Sequence, residues 1–217
     1  MRLSVPDFSN VRALVIGDVM LDRYWSGATS RISPEAPVPI IKVGEIEERA
    51  GGAGNVALNV AALGAGATVL GLTGDDEAAA SLETLLSGHG VQCRFIRVPG
   101  YATITKLRVI SRHQQLIRLD FENGFADADT DALMDAYLRA LPKANVVILS
   151  DYGKGALRDV AALIEQARAA GKPVLVDPKG ADFSRYYGAT AITPNQTEFE
   201  AVVGNCATGE DLRAKGR

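Results

Sequence analysis

The chain has 217 residues, 47% of them hydrophobic, with 23 Lys plus Arg against 26 Asp plus Glu and a formal charge of −3. That length and apolar content suffice for a buried core, and the slight acidity gives no electrostatic reason to expect a nucleic-acid or membrane-surface partner. No apolar run approaches bilayer-spanning length, and Asp7 and Asn10 interrupt the N-terminus, so neither an anchor nor a signal peptide is expected and the expected compartment is the cytoplasm. Cys93 and Cys206 match no metal-ligand spacing and read as reduced thiols. With His89 and His113 the only histidines, any metal should be a hard, oxygen-liking ion such as magnesium.

In chain order, Ala13-Leu14-Val15-Ile16 reads as a buried strand. Residues 24–49 follow as an extended, half-alternating stretch whose Pro34, Pro37 and Pro39 favour an exposed edge. The run Gly51-Gly52-Ala53-Gly54-Asn55-Val56-Ala57-Leu58-Asn59 then sets a glycine-rich turn at the mouth of a helix over 52–63. Glycines let backbone N–H groups approach a ligand, and a helix start presents unpaired donors with partial positive charge. Asn55 and Asn59 lie one turn apart on that helix, and either internal partners or a polyhydroxylated ligand would satisfy their amides.

Thr68–Leu72 is a second buried strand, followed by a helix over 76–88. Residues 103–121 have strand composition with no intervening helix and pair in expectation with 24–49, forming a small β flap that projects as a lid or a dimerisation surface. Helices over 129–140 and 156–170 alternate with strands Val146–Leu149 and Pro173–Val176, and Gly64, Gly88 and Gly171 serve as stops. The alternation predicts an α/β fold with a doubly wound, mostly parallel sheet. Thr208-Gly209-Glu210-Asp211 predicts one more helix start, close to the last residue, Arg217.

In order, the motifs are Gly17-Asp18-Val-Met-Leu-Asp22, the flap, Gly51-Gly52-x-x-Asn55, Thr73-Gly74-Asp75-Asp76, Asp151, and Thr193-Pro194-Asn195-x-x-Glu198. Together they resemble the ribokinase-like (PfkB) carbohydrate kinases. The stretches Arg23-Tyr24-Trp25, Ser30–Pro39, Thr105–Arg108, Gln114–Glu122 and Asp177–Gly180 are similar to the heptose 7-phosphate kinases of bacterial lipopolysaccharide-core synthesis. The resemblance implies transfer of the ATP γ-phosphoryl group to the anomeric hydroxyl of D-glycero-β-D-manno-heptose 7-phosphate, with ATP and Mg²⁺ as cofactors; because the flap strands need something to pack against, a homodimer through the flap is the expected assembly. Such kinases also carry a Gly-Ala-Gly-Asp turn whose aspartate deprotonates the sugar. Residues 1–217 hold none, since Gly64-Ala65-Gly66 runs into Ala67. The chain therefore reads as the N-terminal portion of a longer kinase, without a catalytic base of its own.

The resemblance assigns Asp22, Gly51, Gly52, Asn55 and Asn59 to the sugar, with Asp18 a weaker candidate on the same turn. A phosphorylated substrate needs cations, and Arg23, Arg31, Lys106 and Arg108 are the candidates because guanidinium forks suit phosphate oxygens. Lys179 could neutralise charge on the transferring group. On the residues alone, Asn195 and Glu198 read as a reciprocal helix cap; by the resemblance, Asn195, Gln196, Thr197 and Glu198 border the ATP phosphates, with Glu198 holding magnesium through water, and both readings can hold because a helix start is already an anion site. Lys154 competes between site and surface salt bridge, while Tyr24, Trp25 and Tyr152 read as packing. Alternative readings are another kinase of this type acting on fructose 1-phosphate or ribose, and a non-catalytic sugar-phosphate-binding module. A dinucleotide oxidoreductase is disfavoured because the glycine turn does not directly follow the first strand.

Overall fold

A computed structural model describes residues 6–112 and 114–216; His113 therefore lies outside the described residues. Six parallel strands, β1 (Arg12–Gly17), β4 (Gly66–Thr73), β5 (Gln92–Arg97), β8 (Val146–Ser150), β9 (Val174–Asp177) and β10 (Ala191–Ile192), form one sheet in the order β10-β9-β8-β1-β4-β5. Apolar strands such as β1 and β4 are covered on both faces, as parallel crossovers require. On one face α1 (Ala53–Ala62) and α2 (Glu77–Gly88) pack Ala53, Ala57, Leu82 and Leu86 against Val15 and Val69. On the other, α3 (Asp131–Ala140) and α4 (Val160–Ala169) pack Leu133, Tyr137, Leu163 and Ile164 against Leu14, Leu70 and Leu149. The doubly wound α/β architecture expected from the sequence is thus present.

A second sheet, in the order β3-β2-β6-β7, comprises β2 (Val19–Ile32), β3 (Pro39–Gly52), β6 (Thr105–Ser111) and β7 (Gln114–Phe121). β2 runs antiparallel to β3 and parallel to β6, and β6 antiparallel to β7. Asp18 alone separates β1 from β2, so the chain passes from the large sheet to the small one in a single residue. β3 in turn runs straight into α1.

The strand β5 was not expected. Its residues alternate charged and apolar at the sheet edge, where Arg94 and Arg97 guard against edge pairing. The fourth helix begins at Val160 rather than at residue 156, because Asp18 takes the Ala156 N–H and Gly155 adopts φ +112° against the Phe125 backbone. Helices α5 (Gln196–Val203) and α6 (Gly209–Lys215) each open with a reciprocal cap, Asn195 with Glu198 and Thr208 with Asp211.

Candidate active site

Strand register places Asp22 between Arg49 of β3 and Lys106 of β6, and Tyr24 between Glu47 and Arg108. With the two-residue side-chain period, these groups share one face of the small sheet. That face borders a cavity of about 590 Å³ lined by Asp22, Arg49, Gly51, Gly52, Asn55, Lys106, Arg108 and Tyr152 among others. Arg108 Nη1 donates to Asp22 Oδ1 at 2.6 Å. The guanidinium groups of Arg49 and Arg108 lie 4.7 and 5.1 Å from the centroid of the Tyr24 ring, near enough for cation–π attraction. Lys106 is held by Glu122 at 2.6 Å and Asp120 at 3.4 Å, and Glu122 also receives Lys154 at 3.0 Å.

Both glycines are steric requirements. A Cβ on Gly51 would stand 2.6 Å from Asp22 Oδ2 and 2.7 Å from Met20 Cγ. On Gly52, whose φ is +56°, it would meet the Asp18 carbonyl at 2.1 Å. Only glycine lets the end of β3 lie this tightly against β2 and Asp18 as it passes into α1 at the cavity wall. The Ala53 N–H is already spent on the Asp18 carbonyl at 3.0 Å, which fixes the helix start.

The Asp18 side chain organises the neighbouring loop. It is 2% exposed, and its carboxylate accepts the backbone N–H groups of Tyr152 (2.8 Å), Lys154 (3.0 Å) and Ala156 (3.0 Å). Burial pushes its pKa above the ordinary carboxylate value, against those three donors. Next to it, Asp151 accepts from the Tyr186 hydroxyl at 2.8 Å, and that hydroxyl accepts the Lys179 N–H at 3.1 Å. Burial raises the Tyr186 pKa to about 12, so it remains a phenol. Lys179 Nζ reaches Glu198 at 3.4 Å, while Glu198 also accepts the Asn195 N–H at 3.1 Å. Tyr152 stands between the two ends of this edge; burial raises its pKa, followed by the charges of Asp177, Glu198, Asp22 and Asp18.

The structure brings Asp22, Gly51, Gly52, Asn55, Lys106 and Arg108 to one cavity, and Lys179, Asn195 and Glu198 into one hydrogen-bonded group. It does not bring Arg23, Arg31 or Asn59 to the cavity. Arg23 follows Asp22 directly and so points to the opposite face, where Glu48 (2.6 Å) and Glu77 (2.5 Å) hold it. Nine positions of β2 beyond Asp22, at about 3.3 Å each, carry Arg31 roughly 30 Å away. Asn59 lies a turn further from the helix start and is exposed, so water serves its amide. Gln196 and Thr197 lie on the first turn of α5, the Gln196 amide bonded to Glu200 at 3.0 Å. Sequence reading missed Arg49 and took Tyr152 for packing. The signal for Arg49 was the strand period running back from Gly51.

Among the described residues no group of three or more His, Cys, Asp or Glu side chains is placed to hold a metal ion. Glu198 and Asp177, whose pKa is raised by burial and then by the Glu198 charge, are an all-oxygen set that fits a magnesium ion keeping most of its water, not a protein cage.

A family profile described as pfkB family carbohydrate kinase matches residues 11–216. The chain belongs to the pfkB family of carbohydrate kinases. The chain is 62% identical over 216 residues to the Bifunctional protein HldE of Aeromonas hydrophila and 59% identical to that of Pectobacterium carotovorum. It is covered completely in both comparisons yet spans only 46% and 45% of those relatives, about half their length. Among solved structures it is similar to a carbohydrate kinase from Agrobacterium tumefaciens (TM-score 0.73, 18% identity, 95% of this chain and 67% of that one). It is likewise similar to Arabidopsis thaliana ribokinase complexed with ribose and ATP (TM-score 0.71, 18% identity, 94% and 67%). At those identities the structural likeness establishes the fold. No described helix is long and apolar enough to cross a membrane.

Proposed function

We propose that this chain forms the sugar-phosphate-cradling part of a cytoplasmic kinase that phosphorylates the anomeric hydroxyl of D-glycero-β-D-manno-heptose 7-phosphate, giving the 1,7-bisphosphate. The observation that carries this reading is the cavity in which Asp22 faces a glycine-fronted helix start while Arg49, Lys106 and Arg108 surround it. A carboxylate accepts sugar hydroxyls, and three cations are more than a neutral sugar needs. The high identity to HldE proteins over the whole chain favours the heptose ester over ribose or fructose 1-phosphate.

In this reading Asp22, Asn55 and the backbone at Gly51 and Gly52 orient the sugar, and Arg49, Lys106 and Arg108 hold its phosphate. The sugar C1 hydroxyl oxygen attacks the γ-phosphorus in line, the bond to the β-phosphate oxygen breaks, and ADP leaves. The hydroxyl proton passes to an aspartate of a Gly-Ala-Gly-Asp turn, which residues 1–217 do not contain. Asn195 and the start of α5 face the ATP phosphates, and Lys179 offsets their charge. Glu198 would hold a hydrated magnesium ion there, and the ion would supply charge neutralisation on the phosphates. Catalysis is then chiefly positioning and electrostatics.

Calorimetry tests the substrate class. The chain should bind heptose 7-phosphate at least tenfold more tightly than unphosphorylated heptose or ribose, and Arg108→Ala should weaken the ester selectively. Equal losses for ester and free sugar would favour a neutral-sugar kinase instead. We also propose a homodimer through the flap. Its second face aligns Ile46, Trp25, Val109 and Ile117 across all four strands, with Leu119 and Phe121 beside them, and Ile46, Ile117, Leu119 and Phe121 are exposed. Sedimentation velocity should show a dimer that Ile117→Asp dissociates; a wild-type monomer at micromolar concentration contradicts this.

A further inference from the structure

A second, larger cavity of about 870 Å³ lies where β1, β4 and β5 begin, at the opposite ends of the strands from the Asp22 cavity. Parallel register puts Arg12 level with Gly66, Leu14 with Thr68, Thr68 with Gln92, and Leu70 with Arg94. By the two-residue period these positions share the face toward α3. Further along the same face, Leu70 and Leu72 are buried against Leu133 and Tyr137 of α3. The helix therefore covers only the far half of these strands. The near half stays open and is polar, and α3 ends beside it with Arg139 and, in the turn that follows, Lys143.

The charge in this groove is unbalanced. Of its lining cations, Arg97 is paired with Asp75 (2.9 Å) and Glu83 (3.2 Å). Glu83 is the only carboxylate in the lining. Arg12, Arg94, Arg139 and Lys143 have no ion-pair partner among the described residues, and the undescribed positions contain no aspartate or glutamate. Arg31, Arg112, Arg168 and Arg213 also lack an ion-pair partner among the described residues, but none of them lines this groove, so what sets it apart is the gathering of four such cations on one surface. The dipole of α3 accounts for cations at its C-terminal end, Arg139 and Lys143. It gives no reason for Arg12 and Arg94, which stand on strands. Four unpaired cations along one concave surface of a chain with net charge −3 form a local field opposite to the whole.

We propose that this groove is a binding site, separate from the sugar cavity, for a small molecule carrying two or more phosphate groups. Guanidinium forks match phosphate oxygens, and Thr68 and Gln92 add a hydroxyl and an amide on the groove floor. The volume is that of a small-molecule pocket. The cations come from two strands, a helix end and the following turn, so they are distributed along the groove and suit separated phosphates better than a single one. The inference does not depend on the sugar reading.

The test titrates inorganic tripolyphosphate, and separately orthophosphate, into the full chain, following backbone amides by NMR and affinity by calorimetry at 0.1 M salt. Tripolyphosphate should shift the amides of Thr68, Arg94 and Lys143 and bind at least tenfold more tightly than orthophosphate. The double variant Arg94→Ala with Arg139→Ala should weaken tripolyphosphate at least tenfold, since each substitution removes a charge-assisted contact. Heptose 7-phosphate binding should be unchanged. If that variant fails to fold, the Arg→Lys pair, which keeps charge and loses the forks, should bind several-fold more weakly than wild type. Unmoved amides at these three positions, unchanged affinity in the variants, or equal binding of a hexaglutamate peptide would overturn the proposal.

Discussion

Replacing Asp18 tests whether one buried carboxylate builds the edge on which both halves of the site stand. In the wild type its Oδ2 accepts the N–H groups of Tyr152 and Lys154, and its Oδ1 that of Ala156. Asp18→Ala removes all three bonds, leaving the Ala156 donor buried and those of Tyr152 and Lys154 part-buried. At about 1–3 kcal/mol per unsatisfied donor, less what water recovers, the expected loss is roughly 3–6 kcal/mol. That is a large part of an ordinary domain stability of about 5–15 kcal/mol. Asp18→Asn keeps one accepting oxygen and turns an amide NH₂ toward at least one donor, so about 1–3 kcal/mol is expected. Urea unfolding measures the loss, and amide exchange at Tyr152, Lys154 and Ala156 locates it. The pH dependence carries a sign as well. Because the folded pKa of Asp18 is raised, the native state binds more protons than the unfolded one between the ordinary carboxylate value and the folded value. Its contribution is therefore full below that window and lost as pH rises through it, a slope that Asp18→Asn should remove. Stability of Asp18→Asn within about 0.5 kcal/mol of wild type, with exchange unchanged at the three amides, would refute the reasoning.

Gly51→Ala should push the Asp22 carboxylate aside, because the new Cβ falls 2.6 Å from Oδ2, and should also displace the buried Met20 Cγ at 2.7 Å; heptose 7-phosphate binding should weaken tenfold or more and the thermal midpoint should fall. Asp76 caps α2 through the Ala79 N–H (2.9 Å) and accepts both the N–H and hydroxyl of Thr103 (2.8 and 2.7 Å). Asp76→Ala should cost about 2–4 kcal/mol in urea unfolding from the lost cap and the orphaned Thr103 donor. Burial opposes its ionisation, but these bonds together hold the Asp76 pKa below the ordinary value. Its stabilisation is present above that ordinary value and lost as pH falls through the folded pKa, and the variant should lack this acid-side slope. Glu122→Gln should loosen Lys106 and Lys154, which it bridges between the small sheet and the body. Faster amide exchange in β6 and β7 is the expected readout.

The large sheet was legible because its strands are unbroken apolar runs between glycine-terminated helices. The edge strands β5 and β10 were not, since Arg94 and Arg97 give β5 the composition of an exposed segment and β10 is only two residues long. Asp22, Gly51, Gly52 and Asn55 could be read as one site because a glycine turn and a carboxylate near the first strand have few other uses. Arg23 was misplaced through adjacency: a neighbour along a strand points the other way, and only the pairing with Glu48 and Glu77 shows where it goes. Arg49 was missed for the converse reason: the strand period running back from Gly51 gives its face, but its approach to Asp22 depends on a strand-pair register that no spacing rule fixes. Asp18 looked like a secondary sugar ligand, yet its three backbone partners lie some 134–138 residues downstream.

The most direct measurement is a crystal structure of the chain soaked with D-glycero-β-D-manno-heptose 7-phosphate. The account predicts sugar hydroxyls within hydrogen-bond reach of Asp22 and Asn55, and the phosphate among Arg49, Lys106 and Arg108. An ester bound elsewhere, or with its phosphate turned away from those three cations, would contradict it.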